Sequence, residues 1–339
     1  MLRTCLRSAK YLVLLPWLLI AACAPKPAPD AAPPTPSAKP EAKADAKATG
    51  DIKIAVVPKA VTHQFWTTVK AGAEAAAKEG GASIIWKGPD KETDVSGQRA
   101  IIEDFVTNKV SAIVMAACDA KALVPTIEKA EAAGVPVITI DSGVDWDKVR
   151  SLVATDNVAG AKQGGEKLIE LMGGSGEVGC IPFVKGAASS EDREKGFKQA
   201  VEATGGKVKV VSTLYSDSKI ETAAKVTDDM LTASPGIKGI FAANEPGVVG
   251  AAQAVKAAGK AGKVIIVGFD GAPAEVEQLK AGVVSALVLQ DPFKMGLEGV
   301  KQALAAIKGG TVEKRVDTGV FIMTKDNINT PEAQKLLMK

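Results

Sequence analysis

A chain of 339 residues is too long for one ordinary core, so two domains are the natural expectation. Hydrophobic residues make up 46% and charged residues 24%, the mix of a soluble globular protein. Taking the three basic residues of segment 1–22 from the 42 in the chain leaves 39, equal to the 39 acidic ones, so charge gives no reason to expect nucleic acid or a polyanionic substrate.

The first segment has the pattern of an export address. Arg3, Arg7 and Lys10 precede an apolar run, Tyr11 to Ile20, too short to cross a bilayer comfortably as a helix. It leads into Ile20-Ala21-Ala22-Cys23. Small residues before a cysteine, after such a run, resemble a bacterial lipoprotein signal, in which Cys23 would be lipidated and become the new N-terminus. A plain secretory signal with an incidental cysteine is the alternative. Ala24 after the cysteine, rather than Asp, leans toward an outer-membrane anchor in a cell with two membranes. Residues 24–50 are nearly all Ala, Pro, Lys, Asp, Glu, Ser and Thr, with no large apolar side chain to offset the entropy of ordering. They are expected to form a tether reaching roughly 80 Å at about 3.1 Å per residue.

From Asp51 the pattern alternates. Strands are expected at Ile52–Val57, Ser83–Trp86, Ala112–Ala116, Pro136–Asp141 and Leu152–Ala154, with helices at Gln64–Glu79, Val95–Asn108 and Lys121–Ala133. The scheme then repeats. Helices fall at Asn157–Met172, Glu191–Ala203, Ile220–Ala233, Val248–Ala258 and Ala274–Ala281. Strands fall at Val178–Phe183, Val208–Leu214, Gly239–Ala243, Val264–Phe269 and Ser285–Leu289. A last helix, Phe293–Ile307, precedes a strand near Val316 to Phe321. Apolar strands without polar alternation, separated by helices, predict parallel sheets covered on both faces, hence an α/β fold of two doubly wound lobes. Gly173-Gly174-Ser175-Gly176 follows a helix and precedes a strand, the reverse of a dinucleotide fingerprint, so it predicts a turn. No cofactor is implied. With a single histidine, His63, there is no metal-ligand spacing. Once Cys5 leaves with the signal and Cys23 carries lipid, Cys118 and Cys180 remain, in different predicted domains, and read as buried or half-buried thiols rather than a structural disulfide.

In open α/β sheets ligands bind beyond the carboxyl ends of the strands. The residues there include His63, Phe65 and Trp66, then Cys118 and Asp119, then Asp141. In the second half they are Lys185 to Arg193, Tyr215 and Asp217, Asn244, Asp270 and Gln290. Such a set suits a polyhydroxylated ring. Aromatic faces pack on C–H bonds, carboxylates accept hydroxyl protons, and amides both donate and accept. Each residue also has a plainer reading: an Asp after a strand, such as Asp141 or Asp270, commonly caps the next helix, Phe65 and Trp66 can pack the first helix onto the sheet, and Asn244 and Gln290 are individually weak signals. The convergence of types on one edge favours binding.

From Ile52 onward the chain resembles the type I periplasmic sugar-binding proteins, the ribose-binding group in particular. The supporting stretches are Val137-Ile138-Thr139-Ile140-Asp141, Ala154-Thr155-Asp156-Asn157-Val158, Leu231-Thr232-Ala233-Ser234-Pro235, Phe241-Ala242-Ala243-Asn244 and Val267-Gly268-Phe269-Asp270-Gly271. The resemblance implies two lobes joined by a three-segment hinge, with crossovers near Thr155, Asp291 and Phe321. The first lobe would hold 51–154 plus 291–321 and the second 155–290 plus 322–339. It also implies sugar contacts from Phe65, Trp66, Asp141, Arg193, Asn244, Asp270 and Gln290. Four positions depart from the ribose pattern: His63 stands for an asparagine, Trp66 for a phenylalanine, Ser142 for an arginine and Asp217 for a third aromatic. The segment before His63 is one residue longer and adds Lys59. A site built for hydroxyls rejects ligands that leave its groups unpaired, so these changes open the ligand to another pentose, a hexose or a linear polyol.

The expected protein is a monomeric, extracytoplasmic lipoprotein of the cell envelope or periplasm. It would capture a monosaccharide or polyol by closing its lobes, and pass it to an ABC permease in the inner membrane. The alternative is a sensor presenting bound sugar to a chemoreceptor or kinase. An enzyme would need an activated nucleophile or a metal, which the sequence does not offer. A repressor of this fold would carry a DNA-binding helix-turn-helix where the signal and tether stand.

Overall fold

The computed structural model describes residues 51–338; Cys23, the signal and the tether lie outside them. The first half builds β1 (Ile52–Val57), α1 (Gln64–Gly80), β2 (Ala82–Trp86), α2 (Val95–Thr107), β3 (Ala112–Met115), α3 (Val124–Ala132), β4 (Val137–Ile140) and β5 (Leu152–Ala154). The second builds α4 (Asn157–Leu171), β6 (Gly176–Ile181), α5 (Ala188–Glu202), β7 (Val208–Thr213), α6 (Ile220–Ala233), β8 (Ile237–Ala242), α7 (Glu245–Ala257), β9 (Ile265–Phe269), α8 (Pro273–Ala281) and β10 (Ala286–Leu289). Then come α9 (Pro292–Ile307), β11 (Arg315–Asp317), β12 (Phe321–Met323) and a short α10 (Pro331–Leu336) that the sequence pattern does not announce.

Two six-stranded sheets result, ordered β11-β5-β4-β3-β1-β2 and β12-β10-β9-β8-β6-β7. Central strands such as β3, β4 and β10 are buried on both faces, whereas the edge strands β2 and β7 alternate toward solvent. That is why the central strands read as unbroken apolar runs. In the first lobe one face packs under α1 and α9 through Ile54, Val56, Val114 and Val300, and the other under α2 and α3 through Val57, Ile102, Ile113 and Ile127.

The single strand expected near Val316 to Phe321 is two strands. β11 pairs parallel with β5 in the first sheet. β12 pairs antiparallel with β10 in the second, so that sheet is not wholly parallel. The run breaks because Gly319 has φ +79° between the two pieces, a conformation that suits glycine. Phe321 therefore lies opposite Leu289 in the second lobe, and the passage between lobes falls at residues 318–320. The chain also passes between sheets after β5 and after β10. These crossovers touch one another: Thr155 and Thr318 share a hydroxyl hydrogen bond of 3.2 Å, and Lys294 Nζ donates to the Asp317 carbonyl at 3.1 Å.

Helices α1 and α9 meet through glycine. A Cβ on Gly296 would stand 1.9 Å from the Val69 carbonyl oxygen, and one on Gly72 2.0 Å from that of Phe293. Helix backbone cannot retreat locally, so Gly296→Ala forces the pair apart. It is expected to lower stability by about 3 kcal/mol, the upper end of overpacking costs. Urea denaturation measures this, and an unchanged midpoint would contradict the close approach.

Candidate functional site

The loops that carry the site leave the carboxyl ends of the strands. After β1 the chain runs through Pro58 and Lys59. Buried Gln98 braces this loop: its Nε2 donates to the Pro58 carbonyl at 3.0 Å and the Ala116 carbonyl at 2.8 Å, while its Oε1 accepts from the Cys118 amide at 2.9 Å. Lys59 is thereby aimed inward and is 2% exposed. Its Nζ lies 2.9 Å from Asp141 Oδ2 and 4.0 Å from Glu92 Oε2, and donates to Ser189 Oγ of the second lobe at 3.0 Å. It also sits 4.7 Å from the centre of the Phe183 ring, within cation–π range. Burial works against the Lys59 charge, but Asp141 and Glu92 outweigh it and hold its pKa above the ordinary lysine value.

Glu92 is the counterpart. Burial alone would raise its pKa, yet Lys59, His63 and the Trp66 indole pull it down to about 2. A carboxylate depressed this way adds stability above its ordinary pKa of 4.5, and that contribution is lost as pH falls toward 2. Lys59→Met removes the largest lowering influence. Its acid-unfolding midpoint, followed by circular dichroism, is expected to move to higher pH; an unchanged midpoint would contradict the pairing.

The aromatic wall begins with Phe65 and Trp66, edge to face with ring centres 4.9 Å apart. The Trp66 Nε1 donates to Glu92 Oε1 at 3.0 Å, which fixes the indole plane. The third aromatic comes from the second lobe as Phe183, two residues past the end of β6.

Asp141 and Asp270 follow β4 and β9, and both have positive φ, +55° and +86°. Backbone strain of this kind persists where the surroundings over-determine it, typically at binding sites. Asp270 accepts from Gln290 Nε2 at 2.6 Å through Oδ1 and from the Glu245 amide at 2.9 Å through Oδ2. Burial raises its pKa, and Arg193 acts in the opposite direction. Arg193, on α5, donates to Asn157 Oδ1 at 2.8 Å, the Ala243 carbonyl at 2.7 Å and Gln290 Oε1 at 3.0 Å. Its guanidinium stacks 4.1 Å from the Phe269 ring centre. Asp141 differs from Asp270. Its Oδ2 is held by the Lys59 ammonium at 2.9 Å, and its Oδ1 lies 3.9 Å from the Arg193 guanidinium.

His63, Phe65, Trp66, Asp141, Arg193, Asn244, Asp270 and Gln290 are brought together around one cavity between the lobes. Asn244 lines the cavity and caps α7: its Oδ1 accepts from the Gly247 amide at 3.0 Å, and its Nδ2 donates to Ser218 Oγ at 2.7 Å.

Two residues expected in the wall are not in it. Ser142 is fully buried, and its hydroxyl accepts from the Ser189 amide at 3.4 Å, bonding lobe to lobe beside the cavity. Asp217 is exposed, held in a turn where it and Ser218 both have positive φ; it lies on a neighbouring groove outside the cavity. Lys59, Glu92, Phe183, Glu245 and Pro246 line the cavity without having been singled out as contacts. Phe183 was hidden inside an apolar run read as strand, and Lys59 was visible only as an extra residue.

Cys118 and Cys180 are both buried and free, and burial pushes both thiols well up from their usual range. Among the described residues no group of His, Cys, Asp and Glu is placed to hold a metal ion. The geometry offers acceptors, amides and aromatic faces to a small neutral polar solute.

Comparison with known proteins gives the following. The family model described as periplasmic binding protein domain matches residues 54–311. The D-ribose/D-allose-binding protein of Pseudomonas aeruginosa is 36% identical over 78% of this chain and 85% of its own length. Among solved structures, an ABC transporter solute-binding protein from Agrobacterium vitis with bound D-fucose is 39% identical, with a TM-score of 0.82 over 84% of this chain and 99% of that one. A carbohydrate transporter solute-binding protein from Agrobacterium radiobacter in complex with D-arabinose is 36% identical, with a TM-score of 0.82 over 86% of this chain and 100% of that one.

Proposed function

The chain belongs to the family of type I periplasmic sugar-binding proteins, and on that premise we propose that it captures a neutral monosaccharide between its lobes and delivers it to an ABC permease. The observation that carries this reading is buried Asp141, paired with Lys59 and lining a cavity walled by aromatics from both lobes. A carboxylate held in this way can still accept a charge-assisted hydrogen bond from a sugar hydroxyl through its remaining lone pairs. The lining mixes carboxylates, amides and an arginine with three aromatic rings, the combination that a polyhydroxylated ring requires. The sugar ring would lie against Phe65, Trp66 and Phe183, with hydroxyls shared among Asp141, Arg193, Asn244, Asp270 and Gln290. His63 and Lys59 complete the N-lobe side. Ser142 and Asp217 act outside the sugar's reach.

The lobes, 51–154 with the stretch through β11 and 155–290 with the stretch from β12, would swing about the three crossovers. Ligand contacts to both lobes would shift the population to the closed form. Cys23 would carry the lipid, leaving a monomeric, tethered receptor outside the cytoplasm.

A thermal-shift series with D-ribose, D-allose, D-arabinose, D-fucose, other hexoses and polyols tests the proposal. At least one neutral sugar is expected to raise the melting midpoint, because binding the native state alone stabilises it. No shift with any of them, at concentrations up to millimolar, would overturn it.

A further inference from the structure

We propose that Glu245 is a latch between the lobes: its carboxylate caps the N-terminus of α1 from across the cleft, so that closure completes that helix. The proposal rests on the reading that the lobes open and close, and concerns a residue acting on closure rather than on the sugar.

Helix α1 has no cap of its own. His63 at its N-cap position makes no side-chain cap bond, and no acidic residue stands in the first turn. Helices α2, α4, α7 and α9, by contrast, are capped by their own Asp94, Asp156, Asn244 and Asp291. The first amides of a helix have no intrahelical acceptor and favour a negative charge. In α1 that charge comes from the second lobe. The Gln64 amide donates to Glu245 Oε1 at 3.4 Å and the Phe65 amide to Oε2 at 3.1 Å.

Glu245 is itself held in place. It opens α7, its own amide donates to Asp270 Oδ2, and Pro246 follows it. The turn it caps bears Phe65 and Trp66, the aromatic wall. The cap and the wall are therefore seated by one movement. In the open form the two amides face solvent and Glu245 loses both donors. The latch thus favours closure whether or not a sugar is present, and it slows release once a sugar is enclosed.

The test compares wild type, Glu245→Gln and Glu245→Ala as full chains carrying one fluorophore on each lobe. It also measures amide hydrogen exchange at Gln64 and Phe65, without sugar and with saturating D-allose, D-ribose, D-arabinose or D-fucose, whichever binds. In Glu245→Ala the closed-to-open ratio is expected to fall about tenfold, the loss typical of charge-assisted hydrogen bonds, with Glu245→Gln in between. Exchange at Phe65 is expected to rise by a similar factor in the sugar-bound form, and sugar dissociation to quicken while association stays near its wild-type rate. A merely structural role would raise exchange throughout the second lobe and leave Phe65, in the first, unmoved. Unchanged Phe65 exchange and an unchanged closed ratio in Glu245→Ala would overturn the latch. If none of the four sugars binds wild type, the sugar reading is what fails, and the sugar-free arms still decide the latch.

Discussion

Asp141→Asn is expected to weaken sugar binding by about 10- to 100-fold while the protein still folds. Position 141 has φ +55°, a region that asparagine tolerates nearly as well as aspartate, so the backbone stays where it is. The change therefore isolates the charge. Hydrogen bonds to charged groups contribute about 1.5–3 kcal/mol, and that range sets the expected loss when Oδ2 no longer offers a charged acceptor to a hydroxyl. Lys59 adds to the effect. Its ammonium, 2.9 Å from Asp141 Oδ2, would be left with Glu92 at 4.0 Å as its nearest carboxylate. The measurement is calorimetric titration with the sugar that gives the largest thermal shift. Affinity within threefold of wild type would show that Asp141 does not face the ligand. Asp141→Ala should cost more, because alanine adds backbone strain at this φ.

Arg193→Met is expected to destabilise the fold by about 3–5 kcal/mol, the cost of leaving a buried charge without its partner, and to abolish measurable sugar binding. Arg193 holds three acceptors at once, on Asn157, Ala243 and Gln290. All three would be orphaned in the interior. Asp270 would lose the cation that offsets its burial and would take up a proton at higher pH. Arg193→Lys should recover little of this, because an ammonium on a flexible stem cannot reproduce the guanidinium fork or its stacking on Phe269. Urea denaturation at pH 7 reads the stability loss. A loss below about 1 kcal/mol would mean that the network relaxes around the gap, against the fixed geometry described above.

The parts of the fold that were legible share one cause. Strands β1, β3, β4, β8 and β10 are buried on both faces, so each appears as an apolar run between helices, and their carboxyl ends point to the cavity. Asp141, Asn244, Asp270 and Gln290 could be found because each stands one or two residues past such a run. Residues whose meaning depends on distant partners could not. Lys59 is an ordinary loop lysine until Asp141 and Glu92 surround it, and Glu92 sits in a β2–α2 loop with no local sign of burial. Glu245 looks like a first-turn acid of α7, and only the contact between lobes sets it against α1. Asp217 failed for a backbone reason, since the positive φ of Asp217 and Ser218 turns the loop so that Ser218, not Asp217, reaches Asn244. The two short strands β11 and β12 merged in the sequence because only Thr318, Gly319 and Val320 separate them, with the break at Gly319.

The central claim is that a neutral monosaccharide lies between the lobes and is bonded by both. A crystal structure with the best sugar of the thermal-shift series tests it most directly. The account predicts closed lobes, the ring against Phe65, Trp66 and Phe183, one hydroxyl within hydrogen-bond distance of Asp141 Oδ2 and others reaching Arg193 and Asp270. A sugar bound on one lobe only, or outside this cavity, would contradict it.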